Sequence, residues 1–246
     1  MKYLSKLTIQ KIFSQNDFEN IVGSKSLAKT LLQNYLKKGL IKRIKHNLYC
    51  TVSLETNECI ADKFLIASKI TNTSFVSHHS AFEFYGYYNQ VYNTVNVSSI
   101  SKFNTFKFER NEYSLISTSS LDFVDEIRGV KVSSIERTIV DSIKDFGKYS
   151  DLEETLNCIN SIPYISINDI LKYLEIINSK TLYKKVGIIL SLFKDKFNIP
   201  EYFFEKCHEI SDSIKVHFDK NKSAHVYNSE WKIFIYKDLE NYINKE

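Results

Sequence analysis

The chain is short of the residues that punctuate and staple a fold, with 6 glycines, 2 prolines and 4 cysteines in 246 residues. So little glycine and proline excludes collagen-like and low-complexity architectures and predicts short connections between regular elements. Cys50, Cys59, Cys158 and Cys207 show no CxxC and no Cys/His spacing, which argues against a zinc site and against a secreted disulfide framework. Four reduced, mostly buried thiols are expected. No apolar run approaches the roughly 18 residues of a membrane span, and the opening Met1-Lys2-Tyr3-Leu4-Ser5-Lys6 leads into no signal-peptide core. The expectation is therefore a cytoplasmic protein with no membrane partner. A Walker loop, a GxSxG elbow and a Cys/His dyad of recognisable spacing are also missing, so no enzyme, no cofactor and no metal are predicted.

What is present is a globular composition, 43% hydrophobic and 14% aromatic, with charge distributed unevenly along it. The first 50 residues hold 10 Lys/Arg against 2 acidic residues, and residues 51–246 hold 23 against 27. A net +4 thus conceals a +8 head on a −4 body. A cationic module joined to a body of opposite sign points to nucleic acid at the head and another task for the remainder.

Within the head, Leu4, Leu7, Ile12 and Phe13 predict a first short helix, and Ser14-Gln15-Asn16-Asp17 reads as a capping box opening a second. Gly23 supplies the turn. A third helix runs from Ser24 to about Lys38, with Leu27, Leu31 and Tyr35 in one apolar row and Ala28, Leu32 and Leu36 in the next. Its other face carries Lys25, Ser26, Lys29, Thr30 and Gln33, side chains suited to base edges in a major groove. After Gly39, Leu40, Ile41 and Ile44 are interspersed with Lys42, Arg43 and Lys45, as in a hairpin with an apolar underside and a cationic edge for phosphates. His46-Asn47 is the expected hairpin turn, since Asn tolerates the left-handed conformation. Helix, glycine and basic hairpin in that order predict an N-terminal winged helix-turn-helix.

The body predicts a mixed α/β unit followed by a mostly helical part. A helix over residues 58–71, with Ile60, Phe64, Ala67 and Ser68 inward, precedes a short one over residues 78–85. Strand-like runs follow at residues 91–97, 103–108, 113–116 and 130–132. Ser133 with Glu136 predicts a cap for the next helix, on which Arg137 and Asp141 stand four residues apart. His78, His79 and Glu83 invite a metal hypothesis, but adjacent helical side chains diverge by about 100 degrees and no third ligand has recognisable spacing. Beyond Ser150, Ser150-Asp151-Leu152-Glu153 and Ser166-Ile167-Asn168-Asp169 read as helix starts, and Pro200 as a first helical residue. Residues 229–236 read as a closing strand, followed by a short helix through Leu239, Tyr242 and Ile243. The class expected is α+β multidomain: 1–52 winged helix-turn-helix, 53–148 α/β domain, 149–246 mostly helical.

Leu36-Lys37-Lys38-Gly39-Leu40-Ile41-Lys42-Arg43-Ile44-Lys45 through Tyr49 resembles the winged-helix end of the AbiEi-type antitoxins of type IV toxin–antitoxin systems, which are also transcriptional regulators. Asn47 stands where that family usually has glycine in the wing turn. Ser77-His78-His79-Ser80-Ala81-Phe82-Glu83-Phe84-Tyr85-Gly86 is similar to its "SALxxxGL" segment, and Ser134-Ile135-Glu136-Arg137-Thr138-Ile139-Val140-Asp141 to its "ERTxxD" segment. Val186-Gly187 and a late Trp231 extend the likeness over almost the whole chain. The resemblance implies an antitoxin that represses its own operon through inverted repeats in operator DNA. It also implies opposition to a nucleotidyltransferase-type toxin without a stable complex. Arg137 and Asp141 are the candidate antitoxin surface, beside the reading, favoured by their i,i+4 spacing, of a merely structural bridge. The alternatives are a DNA-directed nuclease targeted by its basic head, and a protein-interaction module without DNA affinity.

Overall fold

In the computed structural model, which describes residues 3–149, 151–220 and 225–243, Lys11 sets the course of the N-terminal segment. Helix α1 (Leu4–Gln10) stops where Lys11 takes φ +62, and the chain leaves as a strand, β1 (Ile12–Ser14). One helix through Ile12 and Phe13 is therefore corrected. Those two residues pair with Cys50 and Tyr49 of β3 (Leu48–Thr51), a strand too short for its alternation to show in the sequence. Ser14 then caps α2 (Gln15–Val22) in a reciprocal box with Asp17, as expected. Gly23, at φ +77, turns the chain into α3 (Lys25–Lys37). Strand β2 (Ile41–Lys45) returns to β3 through His46-Asn47, with Asn47 at φ +60, and the sheet order is β1-β3-β2.

This segment has its own core, in which Phe13 contacts both Phe18 and Tyr49, and Phe18 contacts Tyr35. The stripe that α3 buries is Ala28, Leu32 and Tyr35, and Leu27 is 45% exposed rather than inward. The apolar pattern there was wide enough to fit either of two rotations, and packing selects one.

The protein is α+β, with ten α-helices and three sheets among the described residues. None of those helices is long and apolar enough to cross a membrane. Contacts divide the chain into one unit of Met1–Phe75, Asn93–Ser119 and Ile127–Lys131 and another of Val76–Tyr92, Ser120–Glu126 and Val132–Glu246. The units interleave along the chain and do not follow breaks at 52 and 148.

Beyond the head, the first unit contains α4 (Lys63–Ser68), shorter than the expected 58–71 because Asp62 caps it with bonds to two backbone N–H groups and Lys69 leaves helical geometry. Ile66, Ala67 and Ser68 are its buried residues, in place of Ile60 and Phe64. Strand β5 (Thr94–Ser99) pairs parallel with β7 (Asn111–Ser117), which β6 (Phe106–Phe108) joins as an antiparallel hairpin. These belong to a six-stranded sheet in the order β6-β7-β5-β4-β9-β8. Strands β4 (Phe75–Val76) and β8 (Val124–Ile127) went unpredicted, and β9 is Val130–Ser133.

In the second unit, α5 (His78–Tyr85) ends at Gly86 and α6 (Ile135–Lys144) is capped by Ser134, one residue past the expected Ser133. Helix α7 (Leu152–Ser161) starts from Asp151, whose carboxylate accepts from the Glu154 N–H; Ser150, expected there, lies outside the described residues. Ser166 caps α8 (Ile167–Ile177) as predicted, and α9 (Lys180–Ser191) and α10 (Glu201–Ser211) follow, Pro200 preceding the first turn of α10 rather than occupying it. The closing strand is the centre of a small sheet: β12 (Ile233–Tyr236) lies between β10 (Val216–His217) and β11 (His225–Asn228), and a single 3-10 turn, Leu239–Tyr242, follows.

Gly187, inside α9, faces the buried Trp231 ring so closely that a Cβ there would overlap it. Gly187→Ala gains about 1 kcal/mol of helix propensity against an overpacking cost of about 1–3 kcal/mol. The variant is expected to unfold at no higher urea concentration than the wild type, read by the fluorescence of the single Trp231, and a stabilisation by the full helix-propensity gain of about 1 kcal/mol would refute the close contact.

Candidate nucleic-acid interface

Helix α3 stands on its buried stripe and turns the other way the five residues singled out for base contact. Lys25, Ser26, Lys29, Thr30 and Gln33 are all exposed. Thr30 donates its hydroxyl to the Ser26 carbonyl at 3.2 Å, and Leu27 beside them is also exposed. Ser24 fixes the helix start by accepting from the Leu27 N–H.

The hairpin is less uniformly cationic than its sequence suggests. Arg43 is exposed and lies over the Tyr49 ring, 5.7 Å from its centroid, with a terminal nitrogen donating to the Tyr49 hydroxyl at 3.4 Å. Lys42 instead donates to the Glu109 carboxylate at 2.9 Å and to the Asn57 carbonyl at 2.6 Å. Lys45 leans toward Phe103, 5.8 Å from the ring centroid, and burial pulls its pKa down. Of the three hairpin cations expected at phosphates, Arg43 is exposed, Lys42 is paired with a carboxylate and Lys45 is half-buried. Glu109 sits in the β6–β7 hairpin turn at φ +52 and also accepts from the Cys59 N–H. Nothing in its local sequence marks it as a partner for a lysine 67 positions away.

Arg137 and Asp141, weighed as an antitoxin surface and as a merely structural bridge, are both buried, at 1% and 2% exposure, which agrees with the bridge. The Arg137 Nε donates to Asp141 at 3.1 Å, its Nη1 reaches the Ser120 carbonyl at 3.2 Å, and the guanidinium lies over the Tyr173 ring. Asp141 also accepts from the Tyr173 hydroxyl at 3.0 Å and from Lys144 at 3.1 Å. The i,i+4 spacing reads the same on a solvated face as on a buried one. The pair is part of the core, and as a docking surface it is corrected.

His78, His79 and Glu83 do not converge. His79 is buried with its Nε2 2.9 Å from Glu154, whose same oxygen accepts from the Asn89 and Gln90 N–H groups and from the Cys158 thiol at 3.4 Å. His79, Glu154 and Cys158 are a set of metal-ligand types within 4.8 Å of one another, but that carboxylate oxygen already has four donors. His78, at φ +52, reaches Asp145 at 3.4 Å. Burial works to raise the pKa of Glu154, Asp145 and Asp141, and is outweighed in each: by the His79 and backbone bonds at Glu154, by His78 and Lys148 at Asp145, and by His78, Lys144 and Arg137 at Asp141.

No family model and no curated protein matches the chain. The fold is similar to that in the crystal structure of the RV2827C protein from Mycobacterium tuberculosis, with a TM-score of 0.61 over 94% of this chain and 89% of that one at 9% identity. At that identity the likeness is one of fold alone.

Removing Arg137 strands a buried carboxylate, so Arg137→Ala is expected to cost about 3–5 kcal/mol, measured by denaturant unfolding; a loss below about 1 kcal/mol, the range of an exposed pair, would mean the side chain is solvated. All three carboxylates are held below their ordinary values in the folded state. The stability they contribute is therefore complete above the unfolded-state range near pH 4 and is lost as pH falls through their folded values. Thermal melts are expected to drop steeply below about pH 4. Stability that rises on acidification would contradict the assignment.

Proposed function

We propose that the head is a winged helix-turn-helix that binds DNA, with α3 as the recognition helix and the β2–β3 hairpin as the wing. The observation that carries this reading is one exposed face of α3 bearing Lys25, Ser26, Lys29, Thr30 and Gln33, followed by a hairpin from which Arg43 projects. The succession of helix, strand, two helices and two strands, and the order β1-β3-β2, support it, as does the +8 charge of the first 50 residues. We further propose that the protein is an antitoxin repressing its own operon through inverted repeats and opposing a nucleotidyltransferase-type toxin without a stable complex. The support is the resemblance of residues 36–49, 77–86 and 134–141 to the AbiEi-type family. The structure places the second and third of those blocks in α5 and α6, where most of their residues are buried. Arg137 and Asp141 then serve the antitoxin body as core, and not as its contact surface.

Two substitutions in the full-length protein separate grip from readout. Arg43→Glu is expected to weaken binding to every duplex, whereas Gln33→Ala mainly narrows the gap between operator and random DNA, by about 1–3 kcal/mol for a bidentate adenine contact. Fluorescence anisotropy on both duplexes measures this, and equal losses on the two for Gln33→Ala would demote it to a positioning contact. In cells, Arg43→Glu should lift repression of an operator-driven reporter while growth rescue against a co-expressed toxin persists. Loss of both together in a folded variant would contradict the division of labour.

A further inference from the structure

The cationic surface of the first unit does not end at the head. A polar groove of about 880 Å3 is walled by residues 9–17 with Leu48, by residues 65–72 of α4 and its exit, and by the turn at residues 128–131. Four cations line it, Lys11, Lys69, Arg128 and Lys131, against one carboxylate, Asp17. Asp17 is spent in the α2 cap, accepting from both the N–H and the hydroxyl of Ser14 at 2.7 and 2.8 Å. Lys131 donates to the Asn72 carbonyl at 3.0 Å, which holds its ammonium without neutralising it. Among the described residues Lys11, Lys69 and Arg128 are exposed and enter no ion pair.

Two of these cations occupy backbone that disfavours them. Lys11 and Arg128 stand at φ +62 and +53, a region where glycine or asparagine is the usual tenant, and both line the one groove. The groove also adjoins the wing: Asn47 of the hairpin turn accepts from the Gln15 N–H at 3.1 Å, and Ser14, Asn16 and Leu48 on either side of those residues are groove lining.

We propose that this groove holds the sugar-phosphate backbone of the bound duplex where it passes the wing, with Lys69 and Arg128 as phosphate contacts. The inference rests on the head taking duplex DNA, and extends the contact to residues outside it. An excess of unpaired cations beside exposed DNA-facing elements suits a polyanion, and its continuity with the wing selects DNA over an acidic protein segment.

The test is the salt dependence of full-length protein binding to a mixed-sequence duplex. Each phosphate contact contributes about 0.9 to the slope of log K against log salt. The double variant Lys69→Gln with Arg128→Gln should therefore lower the slope by about 2 and weaken binding at low salt at least roughly tenfold, while Lys69→Arg with Arg128→Lys keeps both. Arg43→Gln, the wing control, should lower the slope by about 1. An unchanged slope in the double variant, with Arg43→Gln still effective, overturns the groove and leaves the head reading standing. A lowered slope with Arg43→Gln silent keeps the groove and removes the wing. No duplex binding by the wild type at low salt removes both. Binding of a polyglutamate peptide that the double variant loses while its DNA slope is unchanged overturns the proposal in favour of an acidic partner. Both side chains are exposed, so melting temperature should not move; should one single variant unfold, the other still reads a slope change of about 1.

Discussion

The larger unit depends on a guanidinium sealed from water with a carboxylate one helical turn away. Arg137 and Asp141 tie α6 to the Ser120 carbonyl on one side and to Tyr173 of α8 on another, so that one buried pair fixes three stretches of chain. Such a pair contributes little over an apolar replacement of equal volume, yet breaking it by removing one partner is costly, because the survivor keeps its charge in a dry place. What it adds is a single permitted arrangement. His79 and Glu154 do the same between α5 and α7, with the loop N–H groups of Asn89 and Gln90 drawn onto the same oxygen. The two most recognisable blocks of the body are therefore parts of its frame.

Local chemistry was legible in the sequence and long-range chemistry was not. The Ser14–Asp17 box, the turn at Gly23, Asn47 in the hairpin and the Ser166 cap were all readable, because each is complete within about four residues and its geometry follows from the residue types. The helix expected through Ile12 and Phe13 failed because Lys11 takes a conformation a lysine rarely adopts, and because a three-residue strand carries no period. Strands β4 and β8 are short in the same way. The burial of Arg137 and the capture of Lys42 by Glu109 were illegible for another reason: each depends on what tertiary structure brings alongside, and spacing along the chain does not encode it.

Charge shows the same distinction. Dividing the sequence near residue 50 locates most of the cationic surplus, and the exposed face of α3 is where that surplus led. Yet one head lysine is cancelled by a glutamate from the acidic portion, and the groove beside α2 collects Lys69, Arg128 and Lys131 from that same portion. Net charge over a segment sums groups that fold to different places; the field a ligand meets is set by which of them remain unpaired where it docks.

The hold of Glu109 on Lys42, together with Lys45 resting on Phe103, braces the hairpin along one edge. A braced hairpin has little freedom left to surrender on association, so contacts made by Arg43 are not diminished by the ordering of a floppy loop. Under the function proposed above, the same stiffness would move the burden of adjustment to the nucleic acid. If the proposed duplex binding holds, a duplex whose width or curvature did not suit a fixed hairpin would have to deform to meet it, and sequences for which that deformation is easy would be favoured even at base pairs no side chain touches.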